Sequence, residues 1–138
     1  MDDEEALRRY GLHPAAADLD EIRELLRRET ASERRAQGDG DTELMKLFCV
    51  QLFNCGDLED ALLVWDAKSA GFDAACSIDI QLLLGRGLEA VKAHLSTRPA
   101  PSAAAALHRL RELERDGEFE DFSVREHSAF YDSYYGDR

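Results

Sequence analysis

The chain is 138 residues long, with 44% hydrophobic residues and a mean hydropathy of −0.44. That length suits one domain, and a chain of this size buries roughly 68% of its unfolded surface without help from disulfides or metals. A net charge of −12 and a pI near 4.7 set the surface against nucleic acid and anionic membrane, and apolar runs far shorter than the ~20 residues that span a bilayer exclude a membrane helix.

Met1-Asp2-Asp3-Glu4-Glu5 is the opposite of the basic start of a secretory signal, and three cysteines are an odd number. Together they predict a cytoplasmic protein with reduced thiols. Residues 1–17 read as weakly structured. Within them Asp3–Tyr10 can make two turns of helix, with acids at its start where the dipole favours them, and Gly11 ends it. Asp18 to Glu21 has the spacing of a capping box, followed by Leu19, Ile22, Leu25 and Leu26 on one apolar stripe. Arg27–Gln37 is almost wholly polar, so that half of the helix is expected to project into water. Gly38-Asp39-Gly40-Asp41 reads as a linker.

Thr42 is placed to cap a helix over 43–54 whose Leu44, Leu47, Phe48, Leu52 and Met45, Cys49, Phe53 form two adjacent stripes, the pattern of a helix buried on most sides. Gly56 ends it and Asp57 caps a helix over 58–70. Leu58, Ala61, Leu62 and Trp65 mark the expected core face, with Trp65 largely buried. A short helix over 78–84, a turn at Gly85-Arg86-Gly87 and a helix carrying Leu88, Val91 and Leu95 follow. Arg98-Pro99-Ala100-Pro101 is a stiff break. An Ala-rich helix runs from Ser102 to about Asp116 with Leu107, Leu110 and Leu113 inward, and Ser123 to Glu126 caps a last helix reaching about Tyr135. Period-two alternation is absent, so the sequence predicts no sheet.

Residues 44–95 also align with themselves at a shift of thirty. Val50–Phe53 falls on Ile80–Leu83, Leu58-Glu59 on Leu88-Glu89, Ala61 on Val91 and Trp65 on Leu95. Each copy reads as helix, glycine turn, helix. A two-helix unit cannot bury both of its apolar faces alone, so such units stack and their end helices are polar outside. This divides the chain into an acidic N-terminal helical segment with its Gly/Asp linker (1–41), a hairpin core (42–98) and a C-terminal helical cap (99–138), all in one compact domain of about six to eight helices.

The stretch Gly56-Asp57-Leu58-Glu59-Asp60-Ala61-Leu62-Leu63-Val64-Trp65 resembles the turn and second helix of a tetratricopeptide repeat, with Ala61 and Trp65 at that family's small and aromatic positions. Leu58 stands where an aromatic is usual and Lys68 where Ala is preferred, and the spacing is shorter than the family's ~34 residues. The resemblance implies a right-handed stack of antiparallel hairpins, an α-α superhelix that binds a peptide or protein in a groove. It transfers no functional residue.

Cys49, Cys55 and Cys76 lack metal-ligand spacing; Cys49 and Cys76 read as small buried hydrophobes and Cys55 as accessible. His13, His94, His108 and His127 are scattered, so no metal or other cofactor is expected, and no catalytic set can be assembled. Lys68, Asp73 and Asp79 flank the junction between the two copies, and an ion pair from Lys68 to either acid would set the angle between them. Gln51 and Gln81 are polar at equivalent places, and are expected to point the same way, either along one groove wall or into inter-helix hydrogen bonds. Phe130, Tyr131, Tyr134 and Tyr135 lie along one side of the last helix. They are expected either to cap the stack by packing on the 102–116 helix, with Tyr134 and Tyr135 at the outer edge, or to stay exposed as an interface. The reading is a non-enzymatic protein-binding module or scaffold, its partner another protein or a second copy. The alternative is an acidic regulatory or inhibitor-type domain that binds a basic partner or small ligand.

Overall fold

The computed structural model describes residues 1–136. Among these the chain is all-α: eight α-helices, two 3-10 turns and no strand. No helix among them is long and apolar enough to cross a membrane.

Helix α1 (Asp3–Tyr10) starts on Asp2, whose side chain accepts from Glu5 N at 2.9 Å, and stops at Gly11. The two helical turns expected over Asp3–Tyr10 are present, and they are firmer than the weak structure expected of residues 1–17, because Ala6 and Tyr10 are buried against the core. Helix α2 (Leu19–Arg35) buries Ile22 and Leu26. Asp18 makes no capping bond; a 3-10 turn leads in instead. Glu21 accepts from the Tyr10 hydroxyl and pairs with Arg9 at 3.2 Å, so the expected capping acid ties α1 to α2.

The distal half of α2 does not project into water. Thr30 and Glu33 are buried there. Glu33 Oε1 accepts from Gly38 N at 2.9 Å and Gly40 N at 3.2 Å, and Glu29 accepts from Asp41 N at 2.8 Å. The Gly/Asp stretch is thus held by two carboxylates rather than free to act as a linker. Asp41 in turn, not Thr42, caps helix α3 (Thr42–Cys55) by accepting from Leu44 N at 3.1 Å.

Helix α3 is the centre. Leu44, Met45 and every residue from Leu47 to Phe53 are buried, and α1, α2, α4, α5 and α8 all pack on it. Helix α4 (Asp60–Lys68) buries Asp60, Ala61, Val64 and Ala67, a face rotated from the expected one. Trp65 is only partly buried, at the margin of the core with Leu58 and Leu62. The cause is the charged side of α4: Asp60 faces α2, where Arg23 grips it through Nε at 2.8 Å and Nη2 at 3.0 Å. A buried carboxylate needs such a bidentate partner, and the pair fixes how α4 is rolled.

The second copy differs from the expected helix over 78–84. Helix α5 (Phe72–Ser77) precedes it, and Ile80–Leu83 makes a single 3-10 turn. Helix α6 (Leu88–Ser96) then pairs with α7 (Pro101–Arg115), which begins with Pro101 in its first turn rather than on a Ser102 cap. Helix α8 (Val124–Gly136) closes the chain, with Ser123 Oγ accepting from Glu126 N at 3.0 Å.

The turns of the two copies press together. Gly56 ends α3 in the left-handed conformation at φ 75°, and a Cβ placed on Gly85 would stand 2.5 Å from the Phe53 carbonyl oxygen. Gly85→Ala should therefore push the turns apart and cost about 1–3 kcal/mol by overpacking. Chemical denaturation checks this, and a variant as stable as the parent would mean the turns are free to separate.

Candidate functional site

Helix α8 docks on α3, not chiefly on α7 as the sequence suggests. Its aromatic stripe divides. Tyr131 and Tyr135 are buried at 3% exposure each, whereas Phe130 and Tyr134 are 57% and 41% exposed. Tyr135 is therefore inside, not at the outer edge. The stripe is thus split between a buried and an exposed side of the helix, and its buried side packs on α3 rather than on the 102–116 helix.

Asp79 is what α8 docks on. It sits in the extended link between α5 and the 3-10 turn, and it accepts from His127 Nε2 at 2.8 Å and from the Tyr131 hydroxyl. A carboxylate only accepts, so Nε2 of His127 carries the proton. Burial alone would raise the Asp79 carboxyl, but the bonds from His127 and Tyr131 outweigh it and hold it below the usual carboxylate range. Burial and the same bond push the Tyr131 phenol far above its usual value. Further along, Ser128 Oγ donates to Asn54 at 2.8 Å, Asn54 donates to the Leu12 carbonyl at 2.8 Å, and His13 reaches Asp132 at 3.0 Å. The N-terminal segment, α3 and α8 are thereby joined.

Lys68 forms no ion pair with Asp73 or Asp79. Its ammonium donates to the carbonyls of Ala75 and Ile78 at 2.6 and 2.5 Å, the free acceptors at the end of α5. Burial pulls Lys68 below the usual lysine value, and the Asp79 charge only partly offsets this. Asp73 is exposed on α5. Gln51 is fully buried and donates to the Gly11 carbonyl at the end of α1 at 2.7 Å, so of its two expected settings it takes the inter-helix hydrogen bond and not the groove wall. Gln81 is half-buried on the 3-10 turn, a different setting from Gln51.

Cys49 is buried, and burial drives its thiol well above the usual value, with the Asp79 charge adding to it. Cys55 is exposed as expected. Cys76, expected inside, is exposed because α5 turns Ala74 and Ile78 inward instead. Among the described residues no three His, Cys, Asp or Glu side chains come together as a metal site.

Continuous with the docking network through the half-buried His127, the outer side of α8 carries an aromatic row. His127 stacks on Phe130 at 6.0 Å between centroids and Phe130 on Tyr134 at 6.4 Å. Phe122, from the α7–α8 turn, extends the row at 5.7 Å from His127. At the other end the Lys46 ammonium of α3 lies over Tyr134, 4.5 Å from its centroid, and 5.7 Å from that of Tyr131. Sequence reasoning found Phe130 and Tyr134 but missed His127 and Lys46. His127 carried a readable signal: it precedes Phe130, Tyr131 and Tyr134 at i+3, i+4 and i+7. Lys46 had none, being brought in from another helix.

Comparison with protein-family models, with curated proteins and with solved structures returns no match.

Because the folded-state value of Asp79 is depressed, its contribution to stability is full above about pH 4 and is lost as the pH falls through that folded value. Asp79→Asn should thus be destabilised against the parent at neutral pH by about 1–3 kcal/mol, with the gap narrowing in acid. Thermal melts across that range, with proteolysis of residues 123–136 as a local probe, check it.

Proposed function

We propose that the chain is a small helical scaffold that binds a protein, another chain or a second copy, on the exposed aromatic row of α8. The observation that carries this reading is the pair Phe130 and Tyr134, 57% and 41% exposed on one row. Large aromatics in an acidic rim are what interfaces favour, and two stacked rings held on a docked helix lose little freedom on binding. The resemblance of residues 56–65 to a tetratricopeptide repeat also supports a binding role, although Gln51 and Gln81 do not line a common groove. No catalytic step enters this reading. It sets the chain in a reducing cytoplasm, where the exposed Cys55 and Cys76 stay free.

Deleting α8 would not test the proposal, since the same helix covers Phe53 and carries the row. Point substitutions do. Phe130→Ser with Tyr134→Ser should change stability by less than about 1 kcal/mol, as surface changes do. A photo-crosslinker at position 130 should give a discrete adduct that excess wild-type chain competes away and excess double variant does not. An adduct equally strong from exposed Arg28 on α2, or competed equally by both chains, would overturn the proposal. An adduct at twice the chain mass would identify the partner as a second copy.

A further inference from the structure

The two ends of the aromatic row are chemically alike but differently filled. At the Tyr134 end a cation is already in place, the Lys46 ammonium, 4.5 Å from the ring centroid. At the opposite end, Phe122, His127 and Phe130 wall an open cleft of about 250 Å³ together with Asp121, Ser123 and Glu126. Neither Asp121 nor Glu126 is in an ion pair with any of the described residues. The faces of aromatic rings attract ammonium and guanidinium groups, Arg more often than Lys, and adjacent carboxylates strengthen that attraction.

Resting on the reading that this face binds a protein, we infer that the cleft receives a cationic side chain, arginine or lysine, from a basic segment of a different protein. Three observations converge on that occupant. The row already binds an ammonium where the fold supplies one. The vacant end adds two unpaired carboxylates, Asp121 and Glu126. The whole chain carries a net charge of −12, which favours a basic partner and opposes close approach of a second copy. Glu126 in the first turn of α8 also complements the helix dipole, but that role does not account for Phe130 standing exposed over it. An arginine seated here would stack on Phe130 and Phe122 while its outer N–H groups reach the carboxylates.

The test is a titration of the full chain, followed by amide chemical shifts. The probe is an end-blocked Gly-Ser-Arg-Lys-Ser-Gly peptide, and the control carries citrulline and norleucine in place of Arg and Lys. The inference expects shifts centred on residues 121–130, affinity that falls with salt, and no response to the control. Phe130→Ala, and separately Asp121→Asn with Glu126→Gln, should each weaken binding about fivefold with folding unchanged by circular dichroism. Shifts spread over the acidic faces of α1 and α2, equal binding by the Phe130→Ala chain, or equal binding of the control would each overturn it. A specific adduct at position 130 with no peptide response keeps protein docking and removes the cation chemistry. A peptide response at the cleft with no adduct at position 130 keeps the cation site and removes the protein partner.

Discussion

The structure depends on covering α3. Its residues Leu44 and Met45 and the unbroken run Leu47–Phe53 are buried, so almost no side of the helix is left to water. Each Leu, Met, Val or Phe among them gains about 1.5–3 kcal/mol by leaving solvent, but only if another element lies over it. A helix apolar all round cannot be satisfied by one hairpin partner. It must be enclosed, and α1, α2, α4, α5 and α8 are arranged by that need. The short segments follow from it as well. Six residues of α5 and the single 3-10 turn at Ile80–Leu83 suffice because they plug particular gaps, with Ala74, Ile78, Leu82 and Leu83 as the filling.

Enclosure from several directions leaves the relative roll and height of the covering elements open, since apolar contact is not directional. Buried polar groups settle these. The bidentate grip of Arg23 on Asp60 orients α4 against α2, and it raises the Arg23 guanidinium further through the hydrogen bond to Asp60. Glu33 and Glu29 gather the N–H groups of the 38–41 loop and so deliver Asp41 to the start of α3. Asp79 does the same for α8. In each case a carboxylate that composition would assign to the solvated surface is a positioning element, worth its desolvation only because its donors are already in place.

Asp79 links architecture to surface chemistry. By holding His127 and Tyr131 it sets the rotation of α8 about its own axis, and that rotation decides which aromatics face out. Tyr131 and Tyr135 turn inward; Phe130 and Tyr134 cannot then do the same, because residues one apart on a helix point about 100° away from each other. The exposed row is therefore a consequence of a well-anchored helix and not of a loose one. In the proposed recognition of a basic segment, an aromatic face already held by a docked helix would leave most of the ordering cost to the partner.

Much of this was legible in the sequence. The burial of α3 followed from its two adjacent stripes, and helix ends at Gly11 and Gly56 followed from glycine's access to positive φ. The all-α class and the aromatic character of the last helix were equally plain. What the sequence could not decide was every relation between elements distant along the chain. Lys68 had Asp73 and Asp79 as its expected partners and pairs with neither, because the end of helix α5 offered it carbonyl acceptors. Asp79 found its donors 48 and 52 residues away. Gln51 was drawn into the core by a carbonyl 40 residues before it. Periodicity reports which face of a helix is apolar, a local property of 3.6 residues per turn. Which carboxylate meets which donor depends on how the enclosed helix is wrapped, and only the tertiary structure decided that.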